Sequence, residues 1–167
     1  QHALEYHVLN DKTGKEFPPY LLKATVNGRD ESALAESVLR EPFAFPYDLH
    51  FNRVTASAGL VALRALCSST TLEIHLPGIK QFVGGYPAKV SNSQIEIYLP
   101  PEWSLDQAIE VNNRSLRWDG IELIENDGTV IFTEETQRAF HRLLGKSFER
   151  LNISSAAAQS RELLAAL

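Results

Sequence analysis

One stretch, Leu72 to Thr133, leaves this chain few choices of fold. Leu72-Glu73-Ile74-His75-Leu76 alternates apolar and polar residues with the period of a strand. After a loop from Pro77 to Pro87, strand patterns recur near Ala88–Val90 and Gln94–Leu99, around the turn Ser91-Asn92-Ser93. Ser104, with Gln107 three residues on, is a capping box, and Leu105, Ala108, Ile109, Asn112 and Leu116 share one face of the helix it opens. Ile121–Ile124 and Thr129–Phe132 then flank Asn126-Asp127-Gly128, a hairpin signal. Thr133 caps a further helix that buries Ala139, Phe140, Leu143 and Leu144 and stops at Gly145. Short strands joined by tight turns, with helices between, predict an α+β fold. Its mixed or antiparallel sheet is built from hairpins and packs on a buried central helix, with three or four further helices.

The flanking regions extend the pattern. Leu4, Tyr6 and Val8 alternate with Glu5 and His7, and a second strand runs from Tyr20 to Val26 until Asn27-Gly28 closes it. Asp30 caps a short helix in which Leu34 and Val38 share a face, and Pro42 halts it. Phe43, Phe45 and Tyr47 alternate with other residues in a proline-bounded aromatic loop, and Asp48 caps the longest apolar helix, to about Cys67. Apolar residues surround that helix on most sides, so it is expected to be the central, buried one. Its Thr55-Ala56-Ser57-Ala58-Gly59 stretch has little bulk, so a sheet, a second helix or a ligand is expected close to Gly59. Residues 1–153 read as one α+β domain, and 154–167 as a C-terminal helix. That helix is expected to dock either back onto the domain or on a second copy, and Lys146 to Asn152 could carry it outward, which favours a homo-oligomer.

Composition removes several function classes. A chain of 167 residues can bury roughly two-thirds of its unfolded surface without disulfides. A net charge of −5 with no run of Lys or Arg lacks the footprint of a nucleic-acid binder. The single cysteine, Cys67, cannot form an intramolecular disulfide or a cysteine-based zinc site, and reads as a small core residue. The longest apolar run, Val54 to Cys67, is about 14 residues and contains Arg64, short of a membrane span. A soluble, cytoplasmic protein is expected. The opening Gln1-His2-Ala3 and the absence of Met suggest a fragment or a processed product.

Three groupings could carry binding or chemistry. At the start of the long helix, Asp48, His50, Asn52 and Arg53 meet unpaired backbone N–H groups, which suits a small anion. His50 and Arg53, three apart, could hold a carboxylate, unless Asp48 merely caps and Arg53 pairs with it or with Glu41. Gly84-Gly85-Tyr86-Pro87, with Lys80 and Gln81 nearby, could form a lid or clamp that projects an aromatic ring, or simply turn the chain. The Glu-x-His pairs Glu5/His7 and Glu73/His75 would gather four metal-binding groups if their strands were neighbours; otherwise they are a solvated sheet face. Asn112 reads as a hydrogen-bonded core residue. Neither a Gly-x-Ser-x-Gly elbow nor a Gly-x-Gly-x-x-Gly fingerprint occurs.

The run Leu76-Pro77-Gly78, Gly84-Gly85-Tyr86-Pro87, Asp119-Gly120-Ile121-Glu122 and Asp127-Gly128-Thr129-Val130-Ile131-Phe132-Thr133-Glu134 resembles the C-terminal part of bacterial dinucleotide-dependent oxidoreductases related to saccharopine and opine dehydrogenases. The resemblance covers about residues 42–145. It implies the substrate-side and dimerisation domain of a metabolic enzyme, whose nucleotide-binding half lies elsewhere in a larger parent protein. NAD(P) would belong to that half; this chain alone would bind no cofactor and would not be active. No catalytic residue carries over, because no catalytic motif matches. The ligand would meet His50, Asn52, Arg53, Lys80, Gly84, Gly85 and Tyr86. The rival expectation is a free-standing protein-interaction module without catalysis.

Overall fold

Strand patterns become hairpins where the sequence supplies a two-residue turn that tolerates positive φ. The computed structural model describes residues 18–40 and 49–165, with backbone alone at Leu49, His50, Phe51, Asn52 and Val54. Strands β1 (Thr25–Val26) and β2 (Arg29–Asp30) pair antiparallel, Val26 opposite Arg29. Between them Asn27 and Gly28 take φ of 51° and 77°, the handedness that matches strand twist. The expected strand from Tyr20 is therefore only two residues long, and its partner is the chain just after the turn. The Leu4–Val8 pattern and the Pro42–Asp48 segment lie outside the described residues. Helix α1 (Ser32–Leu39) begins where the Asp30 carboxylate accepts the Ser32 N–H at 3.0 Å. Leu34 and Val38 do share a face of it, an exposed one.

The chain divides into two compact units, the first ending at Asn112 and the second beginning at Asn113. In the first, helix α2 (Leu49–Leu66) precedes strands β3 (Leu72–Pro77), β4 (Gly85–Ser91) and β5 (Gln94–Ile97), and helix α3 (Leu105–Ser115) follows. The strands form an antiparallel sheet in the order β3–β4–β5, with Ile74 opposite Ala88 and Val90 opposite Ile95. Asn92 and Ser93, at φ 47° and 62°, make the second left-handed turn. Their N–H groups donate to Ser68 O at 2.8 Å and Leu66 O at 2.9 Å, fastening the end of α2 to the hairpin. Strand alternation puts Leu76, Tyr86, Ala88 and Val90 on one face, where they pack with Ala65 of α2 and Ala108 of α3. The capping box of α3 is made: Gln107 N–H to Ser104 Oγ at 3.2 Å and Ser104 N–H to Gln107 Oε1 at 2.8 Å.

Helix α2 departs from its expected burial. Among its described side chains, those that meet the core are Ala62, Ala65 and Leu66 of the last turns, while Thr55 to Val61 are exposed. A face of three strands is about 10 Å wide between its outer strands, roughly one helix diameter. Two helices share that face, so neither can lie flat along it. Gly59 accordingly faces open space, with no atom within 4 Å of where a Cβ would stand. Cys67 is exposed too, not a core residue, because it follows the last turn that touches the sheet.

In the second unit a 3-10 turn (Leu116–Asp119) ends at Gly120, φ 76°, and leads into β6 (Ile121–Ile124) and β7 (Val130–Phe132). Thr133 caps α4 (Glu134–Leu144) through its Oγ1, which accepts the Thr136 N–H, and Gly145 closes it at φ 66°. The chain then returns instead of leading outward. Phe148 is buried, and β8 (Arg150–Leu151) adds a third antiparallel strand beside β7. Phe132, Phe140 and Phe148 pack in a row, edge-to-face and then tilted, with centroids 5.5 Å apart at each step. Helix α5 (Ala156–Leu164) is tied back by Lys146–Glu162 at 2.7 Å and by Gln159 Nε2 donating to Arg150 O at 3.3 Å. Five α-helices and three small antiparallel sheets make the described residues an α+β fold. Among them no helix is long and apolar enough to cross a membrane.

Candidate functional site

The glycine pair at the head of β4 is the natural place to look for bare backbone open to a ligand. Gly84 takes φ +85°, which side chains rarely adopt. Four residues after the buried Ala108, α3 presents Asn112, whose Nδ2 donates to Gly85 O at 3.2 Å. A Cβ on Gly84 would stand 2.8 Å from Asn112 Cβ and nearer still to its Cγ and Oδ1. On the other face of the sheet, the His75 ring lies on Gly85: a Cβ there would come 3.0 Å from Nδ1 and closer to Cε1. Partial desolvation in that position holds the His75 pKa below its ordinary 6.5. The chain's own side chains thus fill the Cβ side of both glycines, while Gly84 stays exposed on its other side.

The loop around them is a packed turn. Ile79 is buried, Gly78 N–H donates to Gly84 O at 3.0 Å, and Phe82 N–H donates to Ile79 O at 3.1 Å. Tyr86 does not project its ring. Only 1% of the residue is exposed, its hydroxyl donates to Val83 O at 3.0 Å, and its ring tilts against Phe82 at 5.9 Å. Strand alternation decides this, since Tyr86 falls on the core side with Ala88 and Val90. Lys80 and Gln81 are exposed on the turn's outer side, Lys80 at φ 55°.

The sheet's open face carries charge. Glu73, Lys89 and Glu96 form a cross-strand row, and Lys89 Nζ lies 3.6 Å from Glu73 and 3.4 Å over the Tyr98 ring. Beside it an open concavity of about 480 Å³ is lined by Thr71, Lys89, Ser91, Gln94, Ile95 and Glu96. Glu73 and His75 share this face as their spacing requires; Glu5 and His7 lie outside the described residues. No group of three or more His, Cys, Asp or Glu among the described residues could hold a metal ion.

Arg53 is exposed in the first turns of α2, and the side chains of His50 and Asn52 lie outside the described residues, as does Asp48. What the sequence reading passed over is the outward face of the same helix. At 100° per residue, Arg53, Leu60 and Arg64 fall within about 40° of one another, with Val61 and Leu63 on either flank. Leu60 is 65% exposed, Leu63 60% and Val61 48%. The i, i+7, i+11 spacing was visible in the sequence, but apolar residues all round the helix hid which arc would face solvent. Compared with known proteins, the chain matches no family model, no curated protein and no solved structure.

Proposed function

We propose that this chain works by docking another macromolecule, as a protein-interaction module, rather than by closing around a small substrate. The observation that carries this reading is the outward face of α2, where three large aliphatic side chains stand side by side in solvent. Such side chains on one helix face favour a protein partner. At the glycine pair, by contrast, Asn112 and His75 already occupy the side where a side chain would stand, which leaves a small molecule less bare backbone to approach. A cytoplasmic setting suits a lone, exposed thiol at Cys67.

A photo-crosslinking residue placed at Leu60 tests this, with the same residue at Glu96 on the open sheet face as control. Capture of one discrete macromolecular species from position 60, and none from position 96, is the supporting result. Equal capture at both positions, or none at position 60, would overturn it.

A second reading keeps the chain as the substrate-side domain of a dinucleotide-dependent oxidoreductase, binding a small anion. What favours it is the concavity of about 480 Å³ beside Lys89, a size that suits small ligands. Its cation already pairs with Glu73 and lies over the Tyr98 ring, so an added anion competes with Glu73 for it. A citrate titration that shifts the amide resonances of Ser91 and Gln94, and no longer does so in Lys89→Gln, would favour this second reading.

A further inference from the structure

The outward face of α2 has a charge pattern as well as an apolar one. The helix carries Arg53 and Arg64 and no acidic residue, in a chain whose 21 Asp and Glu outnumber its 16 Lys and Arg. The two arginines sit at i and i+11, so they share a line along the helix about 16.5 Å apart. Leu60 lies on that line between them, with Val61 and Leu63 beside it, and neither arginine makes an ion pair among the described residues. Ala56 and Ser57 fill the rest of the arc with small side chains, so a partner backbone can come close.

We infer that this face binds an acidic amphipathic helix of a partner protein, with two carboxylates three turns apart meeting Arg53 and Arg64. The partner's apolar residues at i, i+3 or i+4, and i+7 would cover Leu60, Val61 and Leu63. This rests on the interaction-module reading and names the partner's chemistry. A second copy of the same helix fits poorly. Packed parallel or antiparallel, its face sets arginine against arginine, and like charges facing each other across an interface are costly. A lipid surface fits no better. Membrane-surface helices keep their cations on the polar side, whereas here the guanidinium groups lie on the axis of the apolar arc and would be buried with it.

A synthetic 18-residue acidic amphipathic peptide, with leucines at those spacings and Glu three turns apart, is titrated against the full chain by fluorescence anisotropy. Its twin carries Lys in place of every Glu. The acidic peptide is expected to bind at least about tenfold more tightly than its twin, with an association rate that falls as salt rises. The doubly reversed variant Arg53→Glu/Arg64→Glu should prefer the basic twin, and Leu60→Asp should bind neither. All three changes are at exposed positions, and an unchanged circular dichroism spectrum establishes that each variant folds. Equal affinity for both peptides, or for neither, overturns the acidic-helix inference. So does binding to phosphatidylserine vesicles in place of peptide, or self-association in sedimentation that Leu60→Asp removes. Should position 60 still crosslink a macromolecule when the charge reversals have no effect, the docking module stands and only its acidic partner falls.

Discussion

At Gly84 the backbone and a neighbour both resist a side chain. Gly84→Ala would place an L-residue at φ +85° and drive its Cβ into Asn112, and should cost about 1–3 kcal/mol. Asn112→Ala alone loses one hydrogen bond to Gly85 O, worth about 1 kcal/mol. In the double variant the collisions with Asn112 Cγ and Oδ1 are gone, while the 2.8 Å approach of the two Cβ atoms and the backbone strain remain, so the two costs should sum to more than the measured loss. Denaturant unfolding of the four proteins gives this coupling directly; strict additivity would mean that Asn112 swings clear of an added methyl at no expense. His75 makes a second prediction. Its folded pKa lies below the unfolded value of 6.5, so the unfolded chain takes up a proton first as pH falls. The stability it contributes is whole above about pH 7 and declines as pH drops through 6.5 towards the folded pKa. Between pH 7.5 and 5.5 the unfolding midpoint should fall, and His75→Gln should flatten that slope.

Elements governed by near neighbours were legible in the sequence. Asn27-Gly28, the Ser104/Gln107 box, Thr133 and Gly145 each settle a turn or a helix end through chemistry within a few residues, and each acts as it reads. The burial of α2 was not legible, because it depends on how many strands the sheet has and how many helices share it. Nor was β8, since two residues, Arg150 and Leu151, show no period. The inward turn of the Tyr86 ring and the filling of the Cβ side of Gly84 and Gly85 were not legible for a related reason. A sequence shows where bulk is missing, but not which side chain fills the gap. Helix α2 yields a direct check. With open space around Gly59 in an exposed helix, Gly59→Ala should raise stability by up to about 1 kcal/mol, visible as a higher melting temperature. A lower melting temperature would mean that something does pack there.

For the whole molecule, the return of the chain after Gly145 changes what its C-terminal helix is for. Because Phe148 is buried and β8 pairs with β7, α5 is held beside its own unit by Lys146–Glu162 and Gln159–Arg150. Deleting residues 154–167 should therefore leave the sedimentation coefficient in the same oligomer class and lower the melting temperature by about 5 °C. Conversion of a dimer to a monomer would assign α5 to an interface between copies after all. The first hairpin has a slower consequence. Its two strands hold only two residue pairs, and so small a ribbon opens readily. Each opening leaves the Asn27 amide beside the Gly28 nitrogen, with no β-carbon to hinder attack on the side-chain carbonyl. Ring closure expels ammonia, and hydrolysis of the succinimide leaves aspartate or isoaspartate. One negative charge is then added to a chain already at −5, and the isoaspartate form lengthens the main chain by a carbon where a two-residue turn has no slack. Stored protein would thus accumulate a more acidic species, at a rate that reads how often this corner of the fold comes undone.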